Sequence, residues 1–135
     1  KDAHFRELFF WFLFTVMILF KTLLNRNMWM NPLSDVMGGW TLTDAKGKVS
    51  AEPVENVIML IPWTWLLIVL KNRKNAVKRP VLYAIAAGFL FSLTIETLQL
   101  MLRLGTFQLS DICYNTLGGM IGGVMFWIIR LIRKQ

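Results

Sequence analysis

The sequence predicts an all-α membrane protein: a single domain over residues 1–135, a bundle of about four transmembrane helices with an outer loop between helices one and two. Three observations predict it. Hydrophobic residues make up 56% of the chain and charged ones only 17%, where a soluble domain carries about 25% charged residues. Mean hydropathy is +0.51. The aromatic residues include ten Phe and six Trp, and Trp suits the bilayer interface, where one end of the ring is apolar and the other wet.

The apolar residues gather in four runs, at about residues 8–24, 57–70, 81–102 and 112–129. A bilayer core about 30 Å thick needs about 20 helical residues. The first, third and fourth runs meet that with modest help from their flanks. The first is too long for a signal-peptide core and lacks a small-residue cleavage site, so it is expected to be a retained span. The second is shorter, about 21 Å if helical. The expectation is a short span extended by its flanks: Glu55 and Asn56 cap its start, Lys71 snorkels at its end, and Pro62 kinks it.

Between the first two runs lies the one sizeable polar stretch, about residues 25–55. Its apolar members, Trp29, Met30, Leu33 and Trp40 among them, are expected to lie on the membrane surface or to pack over the helix ends. Residues 40–50 suggest a small hairpin with Gly47 in its turn. Of the 15 Lys and Arg, Lys1, Arg6, Lys71, Arg73, Lys74, Lys78, Arg79, Arg130, Arg133 and Lys134 fall on one side of a four-span protein. Only Lys21, Arg26, Lys46, Lys48 and Arg103 fall on or near the other. The positive-inside rule then puts both termini in the cytoplasm and the long loop outside. The net charge of +7 is spent beside apolar runs, which argues against a nucleic-acid partner. Cys113 is the single cysteine, so no intramolecular disulfide forms.

Polar residues inside the spans mark a candidate site. Ser92, Glu96, Gln99 and Arg103 are spaced four, three and four apart and share one helical face. A carboxylate at membrane depth is costly, so Glu96 needs a partner, a proton or water. It is expected about 9 Å below the outer end of its span. Asp111 opens the fourth run and Asn115 follows one turn later. With a short connection between the two runs, Asn115 should match the depth of Gln99 and Glu96, and Asp111 that of Arg103. Glu55 and Asn56 begin the second run on the same side. These residues are expected to share one outward-opening polar pocket. Gly118 and Gly122, and Gly119 and Gly123, are two overlapping pairs four apart, a spacing that lets helices approach closely. His4 is read as interfacial. No His or Cys cluster has metal-ligand spacing, no phosphate loop is present, and no cofactor is implied.

Three ordered blocks carry a family resemblance: Glu55-Asn56-Val57-Ile58-Met59-Leu60-Ile61-Pro62; Ser92-Leu93-Thr94-Ile95-Glu96-Thr97-Leu98-Gln99 with Arg103; and Asp111-Ile112-Cys113-Tyr114-Asn115-Thr116-Leu117-Gly118-Gly119 with Gly122. They resemble the VanZ-like family. Leu60 stands where that family tends to have an aromatic residue, and the acidic residue it often carries just after the arginine is absent here. The resemblance implies a bacterial cell membrane protein associated with low-level resistance to teicoplanin, a lipid-tailed glycopeptide antibiotic. It gives a process and a compartment, not a reaction.

Three function classes stay open. The first is a protein that binds or modifies an envelope lipid or lipid-linked precursor. There Arg103 attracts an anionic headgroup, Gln99 and Asn115 donate hydrogen bonds, Glu55 and Asn56 form the rim, Glu96 acts as a base or orients Arg103, and Asp111 holds Arg103 or a cation. The second is a small four-helix drug or cation transporter using a membrane glutamate. The third is a non-catalytic structural subunit. The sequence leaves the oligomeric state open.

Overall fold

The structure, a computed structural model, describes residues 2–43 and 47–133. Lys1, Lys46 and Lys134 of the charge tally, and Asp44 and Ala45 of the hairpin turn, lie outside the described residues. Four helices run up and down: α1 (Asp2–Leu19), which continues as a π-helical turn (Phe20–Leu24), α2 (Glu52–Lys74), α3 (Pro80–Leu102) and α4 (Leu109–Ile132). All four are long and apolar enough to cross a membrane, at 23, 23, 23 and 24 residues with the π turn counted in the first. At 1.5 Å per residue each is about 35 Å long, enough for a hydrocarbon core of about 30 Å. Outside the helices, the described residues hold two isolated antiparallel bridges, Met28 with Leu104 and Thr43 with Val49.

The starts of α1 and α3 and the ends of α2 and α4 share one end of the bundle, here the terminal end. Glu7 and Arg73 pair there through two hydrogen bonds, and Arg130 Nη1 donates to the Val77 carbonyl at 2.7 Å. The opposite, loop end carries residues 25–51 and the α3–α4 connection.

The second span is longer than its apolar core suggests. α2 begins at Glu52 with Pro53 in its first turn, where proline's missing N–H costs nothing and its φ is pre-set. Glu52 and Glu55 occupy its first turn and Lys71, Arg73 and Lys74 its last. That order complements the helix dipole and carries the helix beyond the hydrocarbon. Glu55 and Asn56 therefore do not cap α2. The N-cap is Ala51, without a side-chain bond, and both residues face other helices. Pro62 lies inside a helix that continues through it.

α4 is the central helix, and its four glycines divide between two neighbours. A Cβ on Gly118 would run into the Val57 carbonyl of α2, and one on Gly122 into Thr64 and the Ile61 carbonyl. Gly119 and Gly123 face α3 instead: a Cβ on Gly119 would lie 3.0 Å from the Ala84 carbonyl oxygen and 3.3 Å from Gly88 Cα, and one on Gly123 2.6 Å from Ala84 Cβ. Backbone meets backbone on both sides, which only residues without side chains allow. Thr64 Oγ1 adds a polar contact, 2.7 Å from the Leu60 carbonyl and 3.3 Å from that of Gly119.

α1 packs on α2 and α3 through larger side chains. Ile18, Leu60, Trp63 and Ile95 form one buried cluster. Trp63 stacks on Phe91 with centroids 4.3 Å apart and planes 15° from parallel, and its Nε1 donates to Thr15 Oγ1 at 2.8 Å. A second cluster, Ile68, Val77, Ala84 and Phe126, fills the terminal end. Phe9, Phe12, Leu82, Leu90 and Ile132 point outward, as lipid-facing residues do.

Candidate functional site: a buried polar cluster beneath the long loop

On α3, Ser92, Glu96 and Gln99 are all buried at no more than 2% exposure. Each reaches a different segment. Ser92 Oγ accepts from Asn115 Nδ2 of α4 at 2.9 Å. Glu96 Oε2 accepts from the backbone N–H of Gln108 at 3.0 Å. Gln99 Nε2 donates to the carbonyl of Thr22 at 2.7 Å. Gln108 is the N-cap of α4, so Glu96 takes a donor that a helix start leaves free and places a carboxylate at the positive pole of that helix. Thr22 lies in the π turn ending the first span, where the last carbonyls lack helical partners. The Gln99 amide supplies one.

Asp111 sits in the first turn of α4, and its Oδ1 accepts from Asn56 Nδ2 of α2 at 2.8 Å. Asn56, Asp111 and Asn115 are buried at 5–6% exposure. Asn115 Oδ1 is buried without a hydrogen-bond partner among the described residues. Glu96, Gln99, Asp111, Asn115 and Asn56 thus meet in one polar core tying all four spans together. They are buried under protein rather than spread along the wall of an open pocket.

The expected neighbourhood of Arg103 and Asp111 is not formed. α3 ends at Leu102, and Arg103 takes a left-handed conformation with φ of 55°. The Leu104 N–H closes back on the Gln99 carbonyl at 2.8 Å, as in a helix-ending turn that usually carries glycine. The spacing that puts Arg103 in line with Glu96 assumes a helix that has already stopped. Its side chain is exposed and makes no hydrogen bond or ion pair among the described residues. Arg26, following the π turn, is the arginine within electrostatic reach of both Glu96 and Asp111. It pairs with Glu52 at 2.5 Å, and Lys21 pairs with Glu55. Glu55 is therefore an exposed partner of the π turn beside the cluster rather than part of it.

Lys21, Thr22, Arg26 and Glu52 are site neighbours that the sequence reading assigns no role. A signal existed: two bases close the first span while four acids, Glu52, Glu55, Glu96 and Asp111, gather at the same end. The π turn hides Lys21 and Thr22, because its i→i+5 geometry departs from the 3.6-residue register used to align faces, while Arg26 and Glu52 lie outside the apolar runs.

Loop residues cover the cluster. The Leu109 N–H donates to the Val36 carbonyl at 3.1 Å and that of Phe107 to Pro32 at 2.8 Å. Gln108 Nε2 donates to Asp35 Oδ2 and Ser110 Oγ to the Gly38 carbonyl, both at 2.7 Å. Gly39 adopts φ of 78°, and a Cβ there would strike Ser110 Oγ. Tyr114 donates to the Trp40 carbonyl at 3.0 Å. Residues 27–40 therefore pack over the helix ends as a cap.

The three sequence blocks supply this core: the start of α2, the second half of α3 and the start of α4. The family model VanZ/LLP1 matches residues 3–130, nearly the whole chain. No curated protein and no solved structure gives a significant match. With four apolar helices and a family match over this length, the chain is a multi-pass membrane protein that belongs to the VanZ/LLP1 family.

Proposed function

We propose that this protein acts in the bacterial cell envelope, where it binds or modifies a membrane lipid or lipid-linked precursor at the loop end of its bundle, and thereby contributes to resistance to teicoplanin-type glycopeptides. In this reading both termini are cytoplasmic and the loop end faces outward. The carrying observation is the convergence of Glu96, Gln99, Asp111, Asn115 and Asn56 from three helices beneath a cap of loop. Ionisable groups at membrane depth are expensive, and they recur at functional sites. The cap is held by single hydrogen bonds to the α3–α4 connection and to the first turns of α4, so lifting it would open the loop end of the cluster without parting the glycine contacts below. Glu96 is then positioned as a base, with Asp111 beside it. Asn56, Gln99 and Asn115 offer amide donors, and the exposed Arg103 guanidinium draws an anionic headgroup to the rim.

A second reading has its own observation. Glu96, Gln99 and Asp111 each already have an internal partner, as a purely structural fastening would require. Glu96→Gln separates the two. Gln keeps an acceptor for the Gln108 N–H but holds no charge. Teicoplanin susceptibility, the amount of protein in the membrane and its unfolding midpoint in detergent are measured together. The functional reading expects resistance lost at normal level and midpoint. The structural reading expects all three to fall together. A resistant, normally folded variant refutes both roles for the charge.

A further inference from the structure

Away from the polar core, a groove of about 620 Å³ runs between α1 and α2. Its walls are apolar, with Phe14 and Met17 on one side and Ile58 and Pro62 on the other, and Lys21 and Glu55 stand at one end. Met17 and Ile58 are 57% and 58% exposed, so the groove opens sideways, toward lipid. From Phe14 to Lys21, as from Pro62 to Glu55, is seven residues, about 10 Å of helix. A single leaflet supplies about 15 Å of hydrocarbon. The groove therefore stays within the leaflet at the loop end, which suits a chain anchored in that leaflet rather than a long polyprenyl tail crossing the midplane.

The mouth selects a headgroup. Lys21 and Glu55 pair there while remaining 37% and 49% exposed. The next pair along, Arg26 and Glu52, is 30% and 44% exposed. Lys21 and Glu55 balance each other, as do Arg26 and Glu52 beyond the groove's lining, so the mouth offers no net attraction to a purely anionic headgroup. A headgroup carrying both signs can replace a protein ion pair with two of its own, phosphate on Lys21 and ammonium on Glu55.

We infer that the α1–α2 groove is a lipid site that takes an acyl chain of a phospholipid with a zwitterionic, ethanolamine-type headgroup, read by Lys21 and Glu55. The inference rests on the preceding reading only in placing the ligand at the loop end, and it makes no use of Glu96.

The test uses the full chain purified in detergent, titrated with dioleoyl phosphatidylethanolamine or dioleoyl phosphatidylglycerol. Bound lipid is counted by native mass spectrometry. The wild type should retain the ethanolamine lipid preferentially. Lys21→Gln should weaken its binding about tenfold, the loss expected for one charge-assisted hydrogen bond. Glu55→Gln should remove the preference or turn it toward the glycerol lipid, because Lys21 is then an unopposed cation. Ile58→Trp should fill the groove and abolish retention. Met17→Trp does the same from the other wall if the first variant fails to fold. Equal retention of both lipids by the wild type, unchanged by Glu55→Gln, overturns the inference. So does a dimer that Ile58→Trp dissociates, since a second copy would then occupy the groove. Resistance is not measured here, so a resistant Glu96→Gln variant would refute the preceding reading and leave this titration unchanged.

Discussion

Replacing single glycines of α4 and α3 by alanine should give a graded stability series whose order the backbone geometry sets. Two effects compete in each variant. Alanine favours a helix over glycine by about 1 kcal/mol. Overpacking a filled contact costs about 1–3 kcal/mol. At Gly88 the nearest atoms to an added Cβ are Gly119 Cα at 3.3 Å and the Asn115 carbonyl oxygen at 3.5 Å. The contact is tight but tolerable, so the two effects nearly cancel and Gly88→Ala should unfold close to the wild type. At Gly118 the added carbon falls on the Val57 carbonyl, with Val57 Cα at 3.1 Å. These are backbone atoms of a helix held on its other side by α1, and they cannot rotate away as a side chain would. Gly118→Ala should therefore lose about 1–2 kcal/mol net, roughly a tenfold shift in the folding equilibrium. Gly123→Ala should fall between them, because its added carbon meets Ala84 Cβ at 2.6 Å and Val81 Cα at 3.0 Å, tighter than the contacts at Gly88 but less so than the overlap with the Val57 carbonyl. Thermal unfolding of the purified variants in one detergent reads the order. A Gly118→Ala midpoint at or above that of the wild type would refute the argument that α2 and α4 touch through their backbones.

Two further outcomes are expected. Gln99→Leu leaves the buried Thr22 carbonyl without its donor and should destabilise the protein by about 1–2 kcal/mol on membrane-peptide scales; an unchanged unfolding midpoint would mean that the carbonyl finds water or another donor. In a Cys113→Ser background, a cysteine at Met30, which is 92% exposed in the loop, should label from outside intact cells with a membrane-impermeant maleimide, and one at exposed Lys74 should not; the reverse pattern would invert the topology.

The spans were legible because each is a long apolar run bounded by charge, and lipid demands nothing subtler of a helix. Their ends were less so. The five residues that α2 adds before Val57 include two glutamates and a proline, which a hydropathy reading takes as loop but the first turn of a helix accepts. Glu96 and Gln99 could be found because their four- and three-residue spacings survive in a regular helix. Arg103 obeys the same spacing yet departs, because helix termination is a backbone event that the face pattern does not encode. That the loop packs over the helix ends was one of the two placements its apolar residues suggested, but its contacts were out of reach: Ser110 with Gly38 and Gln108 with Asp35 join residues more than seventy apart. The α3 surface that receives Gly119, made by Ala84 and Gly88, carries the same spacing of small residues as α4, but no polar neighbour draws attention to it.

Charge at the two ends has two possible sources, and separating them bears on the proposed orientation. Helix dipoles favour bases at C-termini and acids at N-termini, worth about 0.3–1 kcal/mol each. At the loop end, Lys21 and Arg103 close the first and third spans, and Glu52, Glu55 and Asp111 open the second and fourth. At the terminal end, Lys71, Arg73, Lys74 and Arg130 lie in the last turns of α2 and α4. The dipole alone accounts for all of these, so they say little about which end faces the cytoplasm. Lys78 and Arg79 are different. They stand just before the start of α3, whose first turn holds no acid, against the sign that the dipole prefers. An anionic membrane surface attracts each nearby Lys or Arg by about 1 kcal/mol, enough to outweigh that opposition. The dipole of α3 does not account for their position, whereas an anionic membrane surface at the terminal end would; in the proposed orientation that surface belongs to the cytoplasmic leaflet.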